Sequence, residues 1–292
     1  PKNAIQILTI HKSKGLEFPI VIYPYADINI KGDLNPKTWI NLKNSKDISL
    51  KKSLININKD LEKMVDTNDE WITTRTGIKE RRIVSDGETL SDMGSEVVKE
   101  ICNKRGISPL EIDMIIVGTV TGDHRFPSTS NIICDKSGAT NAWGFDLSAA
   151  CSGFIYTLVT GQQFIEAGKY KKVIVIGGDI MSSIVSYKDR NTCIIFGDGC
   201  AGVLLEPNDE GLGVIDSILK VDGSGRDLLI QKNGGSAFPI NKDNVEHPDT
   251  FIYQEGRSVF KFAVTNMADA VSYTHLRAHE TVLDLVCRLL LE

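Results

Sequence analysis

Cys151 stands where the apolar run Ala142 to Leu147 turns through Ser148, Ala149 and Ala150 into the segment CSGFIYTLVTGQQFIEAG. A sulfur at that place lies at the N-terminus of an expected helix. Unpaired backbone N–H groups and the positive end of the helix dipole favour thiolate over thiol, which would make a nucleophile of a group otherwise mostly protonated near neutral pH. Ser152 and Gly153 keep the approach uncrowded. Position alone suits equally well a buried cysteine filling a contact between helix and sheet, because free cysteine is a common core residue. The remaining cysteines, Cys102, Cys134, Cys193, Cys200 and Cys287, make no C-x-x-C pair and no regular framework, so neither a metal site nor a disulfide scaffold is expected. Gly177-Gly178 and Gly197-Asp198-Gly199 lack the spacing of a dinucleotide fingerprint, and no G-x-x-x-x-G-K-[ST] phosphate loop occurs to bind ATP.

The elements that must position Cys151 follow from hydrophobic periodicity. From about Leu54 to Ala270 helices alternate with strands. Short helices are expected over Asn58 to Val65, with an N-cap signal at Asn58, and over Asp69 to Gly77. A longer amphipathic helix is expected from Thr89 to Arg105, and further helices over Ser130 to Ser137 and Cys151 to Ala167. Strands are expected at Met114 to Thr119, Ala142 to Leu147 and Lys172 to Ile176. Ile194 to Phe196 and Cys200 to Leu205 flank the turn GDG as an antiparallel hairpin would. This alternation predicts an α/β unit, with a mostly parallel or mixed sheet covered by helices on both faces.

The chain of 292 residues is 41% hydrophobic, ample for a packed core, and its 33 basic against 38 acidic residues give a net charge of -5. That balance offers no global field for nucleic acid or an anionic membrane. No apolar run reaches bilayer length, and the first residue, Pro1, has no charged and apolar signal segment behind it, so a reducing cytoplasm is expected.

The two ends read differently from the middle. In residues 2–44 two β-like runs, Ile5 to Ile10 and Pro19 to Tyr23, are joined by HKSKGLEF, whose Lys-Ser-Lys-Gly could present N–H and ammonium groups to a phosphate. The string TIHKSKGLEFPIVIYP resembles a motif of superfamily 1 DNA helicases of the Rep, UvrD and AddA type, which makes residues 1–53 a foreign fragment and junction. Aromatic stacking platforms and net positive charge are missing alongside the ATP site, so the alternative of a helicase fragment is weak. Residues 271–292 resemble translated adapter DNA of sequencing libraries; they also suit an amphipathic helix with Leu283, Val286, Leu289 and Leu290 on one side. His275, His279 and Cys287 therefore receive no function.

The strings DLEKMVDTNDEWITTRTGIKERRI, FPSTSN, DLSAACSGF, DRNTCIIFGDGCAG and VFKFAVTNMADA occur in order across about Asn58 to Ala270, and they closely resemble β-ketoacyl-acyl carrier protein synthase III. The resemblance implies a thiolase-like fold of two α/β halves packed as αβαβα and normally a homodimer, of which residues 54–270 carry mainly the N-terminal half. It implies that Cys151 takes an acyl group from acyl-CoA and condenses it, with decarboxylation, with malonyl-acyl carrier protein. No cofactor is implied beyond acyl-CoA as substrate. Trp71 matches the aromatic that stacks on the adenine of coenzyme A, Arg190 the guanidinium on the other side of that adenine, and Thr67 and Arg75 neighbours at the coenzyme A entrance. Phe126 matches a residue that reaches across the dimer to the partner's acyl pocket, and Met181 and Phe196 match pocket-lining positions. The PHQAN-like and GNTS-like strings that carry the family's catalytic His and Asn are absent from this sequence, while His124 and His247 lie in expected loops. The expectation is therefore acyl transfer to Cys151 without efficient condensation, and, with half a two-lobed core uncovered, poor solubility or misassembly. A thiolase-fold synthase making polyketide or quinolone starters remains the alternative chemistry.

Overall fold

The computed structural model describes residues 54–209, 213–214 and 216–289, with side chains over 57–209, 213–214 and 216–273. The helicase-like run at 2–44 lies outside these residues, as do the side chains of His275, His279 and Cys287.

The central sheet has four strands in the order β4-β3-β5-β6: β3 (Met114–Gly118), β4 (Trp143–Leu147), β5 (Val173–Ile180) and β6 (Asp198–Leu205). β3 is parallel to β4 and β5, and β6 runs antiparallel to β5. β3 is MIIVG, with every residue buried, as a central strand covered on both faces requires. The period of two sorts its neighbours into two cores. Ile115, Val117, Ile174 and Ile176 face Val98 and Cys102 of α3 (Leu90–Arg105) and Ile133 and Cys134 of α4 (Thr129–Ser137). Met114, Ile116, Val173 and Val175 face Phe154 and Leu158 of α5 (Gly153–Glu166). The result is a three-layer α/β/α unit.

Before the sheet come β1 (Leu54–Ile57), α1 (Asn58–Leu61), α2 (Asp69–Thr76) and β2 (Glu80–Ile83), with β1 and β2 paired antiparallel. Between β5 and β6 lies α6 (Arg190–Cys193), and after the sheet β7 (Leu229–Ile230) pairs with β8 (Tyr253–Gln254). The helix α7 (Gly256–Leu289) runs without a break through the boundary expected at Ala270.

Three local expectations are corrected. Ile57, not Asn58, occupies the N-cap of α1; the Asn58 side chain turns inward, donating to Asp69 Oδ1 (2.8 Å), Thr73 Oγ1 (3.2 Å) and the Ile78 carbonyl (2.7 Å) while accepting from Arg81 Nη1 (3.0 Å). Burial makes those bonds worth more than a cap to solvent-facing amides. The helix expected to reach Val65 accordingly stops at Leu61. The hairpin around GDG does not form: Ile194 to Phe196 follow α6 as a turn, and β6 instead pairs along its whole length with β5, from Val173 opposite Leu205 to Ile180 opposite Asp198. Asp198 serves as a tie, accepting from Val84 N (2.9 Å), Ser182 N (2.8 Å) and Ser182 Oγ (2.7 Å).

Candidate active site

Cys151 sits in a 3-10 turn, Ala150–Ser152, and α5 begins only at Gly153. Ala150, immediately before it, has φ +45°, the one positive φ outside glycine among the described residues. A side chain in that region is strained, and such strain persists only where the surroundings hold it. Here the hold is a close approach between strand and helix. A Cβ added at Gly118, the end of β3, would lie 2.6 Å from the carbonyl carbon of Gly153, so the first turn of α5 is pressed directly on the strand. Thr119 N donates to the Leu147 carbonyl (3.1 Å), continuing the parallel pairing up to the turn.

The Cys151 side is open to solvent, yet protein crowding behind the sulfur and the charge of Asp179 push the thiol above its ordinary range, against a smaller lowering by a backbone hydrogen bond. The expected thiolate is thereby corrected. The dipole acts within the first helical turn, and Cys151 precedes that turn while facing a carboxylate.

A second cluster forms around Trp71. Asn68 caps α2 by accepting from Trp71 N (2.7 Å), which sets the indole. Arg75 Cζ lies 4.2 Å and Arg190 Cζ 4.8 Å from the centre of that ring. Arg190 Nη1 also donates to the Asp66 carbonyl (2.8 Å). Next to Asp66, the Thr67 Oγ1 is buried without a hydrogen-bond partner among the described residues. A buried polar atom left unpaired is costly unless something else supplies its bond. Met181 and Phe196 pack, with Trp71, against the cluster Leu61, Ile72, Val185, Cys193 and Ile194. Phe126 stands apart from this group and is 86% exposed. His247 caps the short turn Pro248–Thr250 by accepting from Asp249 N (3.2 Å).

Two contributors escaped the sequence reading. Asp179, next to last in β5, takes four hydrogen bonds on one oxygen, from Thr119 Oγ1, Val120 N, Thr121 N and Thr121 Oγ1 (2.8 to 3.1 Å). A carboxylate at the C-terminal end of a buried parallel strand, where open α/β sheets place their sites, was the available signal. Arg81 is buried and donates to the Ile194 carbonyl through Nε (2.9 Å) and Nη2, fixing the turn that leads to Phe196; burial lowers its pKa.

A cysteine on a strained strand-to-helix turn, at the C-terminal end of a mixed sheet packed between helices, defines a thiolase-like α/β unit. The chain aligns with the solved 3-oxoacyl-[acyl-carrier-protein] synthase III of Aquifex aeolicus at 40% identity and a TM-score of 0.63, over 71% of this chain and 62% of that one. The family model of 3-oxoacyl-[acyl-carrier-protein (ACP)] synthase III matches residues 145–223. The β-ketoacyl-[acyl-carrier-protein] synthase III of Chlorobaculum tepidum is 56% identical over 215 residues, 73% of this chain and 65% of the relative. That of Koribacter versatilis is 47% identical over 232 residues, 79% of this chain and 70% of the relative. The chain belongs to the β-ketoacyl-[acyl-carrier-protein] synthase III family. It spans 65% of the length of the Chlorobaculum relative.

Proposed function

We propose that this chain is the acyl-accepting part of a β-ketoacyl-acyl carrier protein synthase III, with Cys151 as the nucleophile. The observation that carries the reading is the strained turn that presents Cys151 to solvent at the sheet's C-terminal end. The cysteine thiolate attacks the carbonyl of an acyl-CoA thioester, the tetrahedral adduct collapses, and coenzyme A leaves as its thiolate, which takes up a proton. The acyl group stays on sulfur. Because the Cys151 proton is held more tightly than in an ordinary thiol, this step gains speed as pH rises.

Trp71 with Arg75 and Arg190 provides an aromatic face and two cations for the adenine and phosphates of coenzyme A, and Thr67, next to Asp66, lies at that entrance in this reading. Met181 and Phe196 line the acyl pocket in this reading, and Phe126 reaches toward a partner copy. In the complete reaction the acyl-cysteine condenses with malonyl-acyl carrier protein, releasing carbon dioxide and forming a 3-oxoacyl-acyl carrier protein. In this reading the residues present carry the acyl-loading step through Cys151. Cytoplasmic acyl-CoA is the donor pool in this reading.

The test is incubation with acetyl-CoA from neutral to alkaline pH, followed by peptide mapping. One acetyl group on Cys151, absent in Cys151→Ser, is expected. Unmodified Cys151 at every pH would sink the proposal.

A further inference from the structure

Gly177 of β5 faces α5, since a Cβ there would meet the Phe154 side chain at 2.8 Å, and Asp179, two residues on, points to the same face. It therefore projects toward the turn before α5 that carries Cys151. Its four hydrogen bonds all fall on Oδ1, and all come from Thr119, Val120 and Thr121, the loop that leaves β3 directly after Gly118. Thr121 Oγ1 also accepts from Ile180 N (2.8 Å), closing the loop onto β5. Gly118 is the residue pressed on Gly153. One carboxylate thus fixes the strand end against which the nucleophile turn is packed.

Other acidic and thiol groups near the turn are committed elsewhere. Asp146 of β4 accepts from Thr129 N (2.6 Å) and Ser130 N (2.8 Å) at the start of α4. Cys200 of β6 stands opposite Gly178, and burial followed by Asp179 pushes its thiol up to about 12, so it stays neutral. Asp179 is the charge that acts on Cys151.

We propose that Asp179 is a positioning residue of the cysteine site: its carboxylate clamps the Thr119 to Thr121 loop, and so the end of β3, against which the nucleophile turn is packed. The inference rests on the reading of Cys151 as the nucleophile. Its consequence is that a change at Asp179 reaches Cys151 through the strand end and the turn, without touching the sulfur.

The experiment follows carbamidomethylation of Cys151 by iodoacetamide against pH, read by peptide mapping, in the parent protein, Asp179→Asn and Asp179→Glu. Asp179→Asn keeps an acceptor and removes the charge; its midpoint is expected to fall by about one pH unit. Asp179→Glu restores the charge and is expected to return the midpoint toward the parent value. Identical midpoints in all three overturn the proposal. Should Asp179→Asn not fold, amide exchange in the parent protein decides the clamp: Val120 and Thr121 must be protected, and free exchange there overturns it. Alkylation does not need acyl-CoA, so a shifted profile without acetyl loading upholds this inference and sinks the proposed function alone.

Discussion

At Cys151 two electrostatic influences act in opposite senses. The dipole of α5 would stabilise a thiolate by up to about 1 kcal/mol at a partly exposed site, but that influence is confined to the first turn. Desolvation and Asp179 act directly on the sulfur and win, leaving the thiol raised. Acetyl loading of Cys151 should therefore still be accelerating where an ordinary thiol, with a pKa of about 8.5, has levelled off. A rate that plateaus at neutral pH would contradict the field described here. At Trp71 the two guanidinium contacts predict a different signature. Replacing Arg190 by Ala removes one cation from the ring and one bond to the Asp66 carbonyl; coenzyme A affinity measured by titration calorimetry should fall about tenfold, while the pH profile of Cys151 stays put. Cys151, Trp71, Arg75 and Arg190 were legible as motif residues. Asp179 was not, because its importance arises from a loop brought to it across 58 residues of chain.

Between elements, the decisive contact is glycine on glycine. Gly118→Val would force a branched side chain into the Gly153 backbone, 2.6 Å from where its Cβ must stand, and neither β3 nor α5 can yield without disturbing both cores. Overpacking of this kind costs about 1–3 kcal/mol, so a clear fall in Tm together with loss of Cys151 loading is expected; an unchanged Tm by calorimetry would contradict the contact. The start of α3 gives a pH prediction. Thr89 and Asp92 form a capping box, and Lys136 Nζ lies 2.8 Å from Asp92 Oδ1. Burial pulls the Asp92 pKa upward but is outweighed by the bonds from Lys136 and Thr89, leaving it at about 2. A depressed carboxylate stabilises the fold above its unfolded pKa, about 3.9, and that stabilisation is lost as pH falls toward 2. Asp92→Asn should lower Tm at neutral pH, with the difference from the parent protein vanishing near the acid end of that window. Capping at Thr89 was legible because it is local, and so were the buried strands, whose composition permits little else. The GDG hairpin misled because proximity in sequence suggested a pairing for Ile194 to Phe196. β6 found eight partners on β5 instead, and Arg81, from far upstream, holds the Ile194 carbonyl in a turn.

On the scale of the whole molecule, two of the most exposed aromatic side chains stand on loops that are tied to one another. Phe126 is 86% exposed and Phe238 62%, and the two loops are tied because Arg125 Nη2 donates to the Gly234 carbonyl while Gly234 N donates to the Phe238 carbonyl (2.8 Å). Val221 is 92% exposed, on a segment held near α5 by the bond from Tyr156 Oη to the Lys220 carbonyl (3.0 Å). Exposed aromatic side chains on linked loops favour association, and a net charge of -5 on 292 residues gives only modest repulsion to oppose it. The proposed reading of Phe126, as a residue reaching toward a partner copy, points the same way. Light scattering across a concentration series should therefore show mass rising above that of one chain, and the double change Phe126→Asp with Phe238→Asp should bring it down without altering the far-ultraviolet circular dichroism of the core. A parent protein that stays monodisperse at monomer mass throughout would show that this surface has no appetite for partners, and would remove the support it lends to Phe126 as a contact between copies.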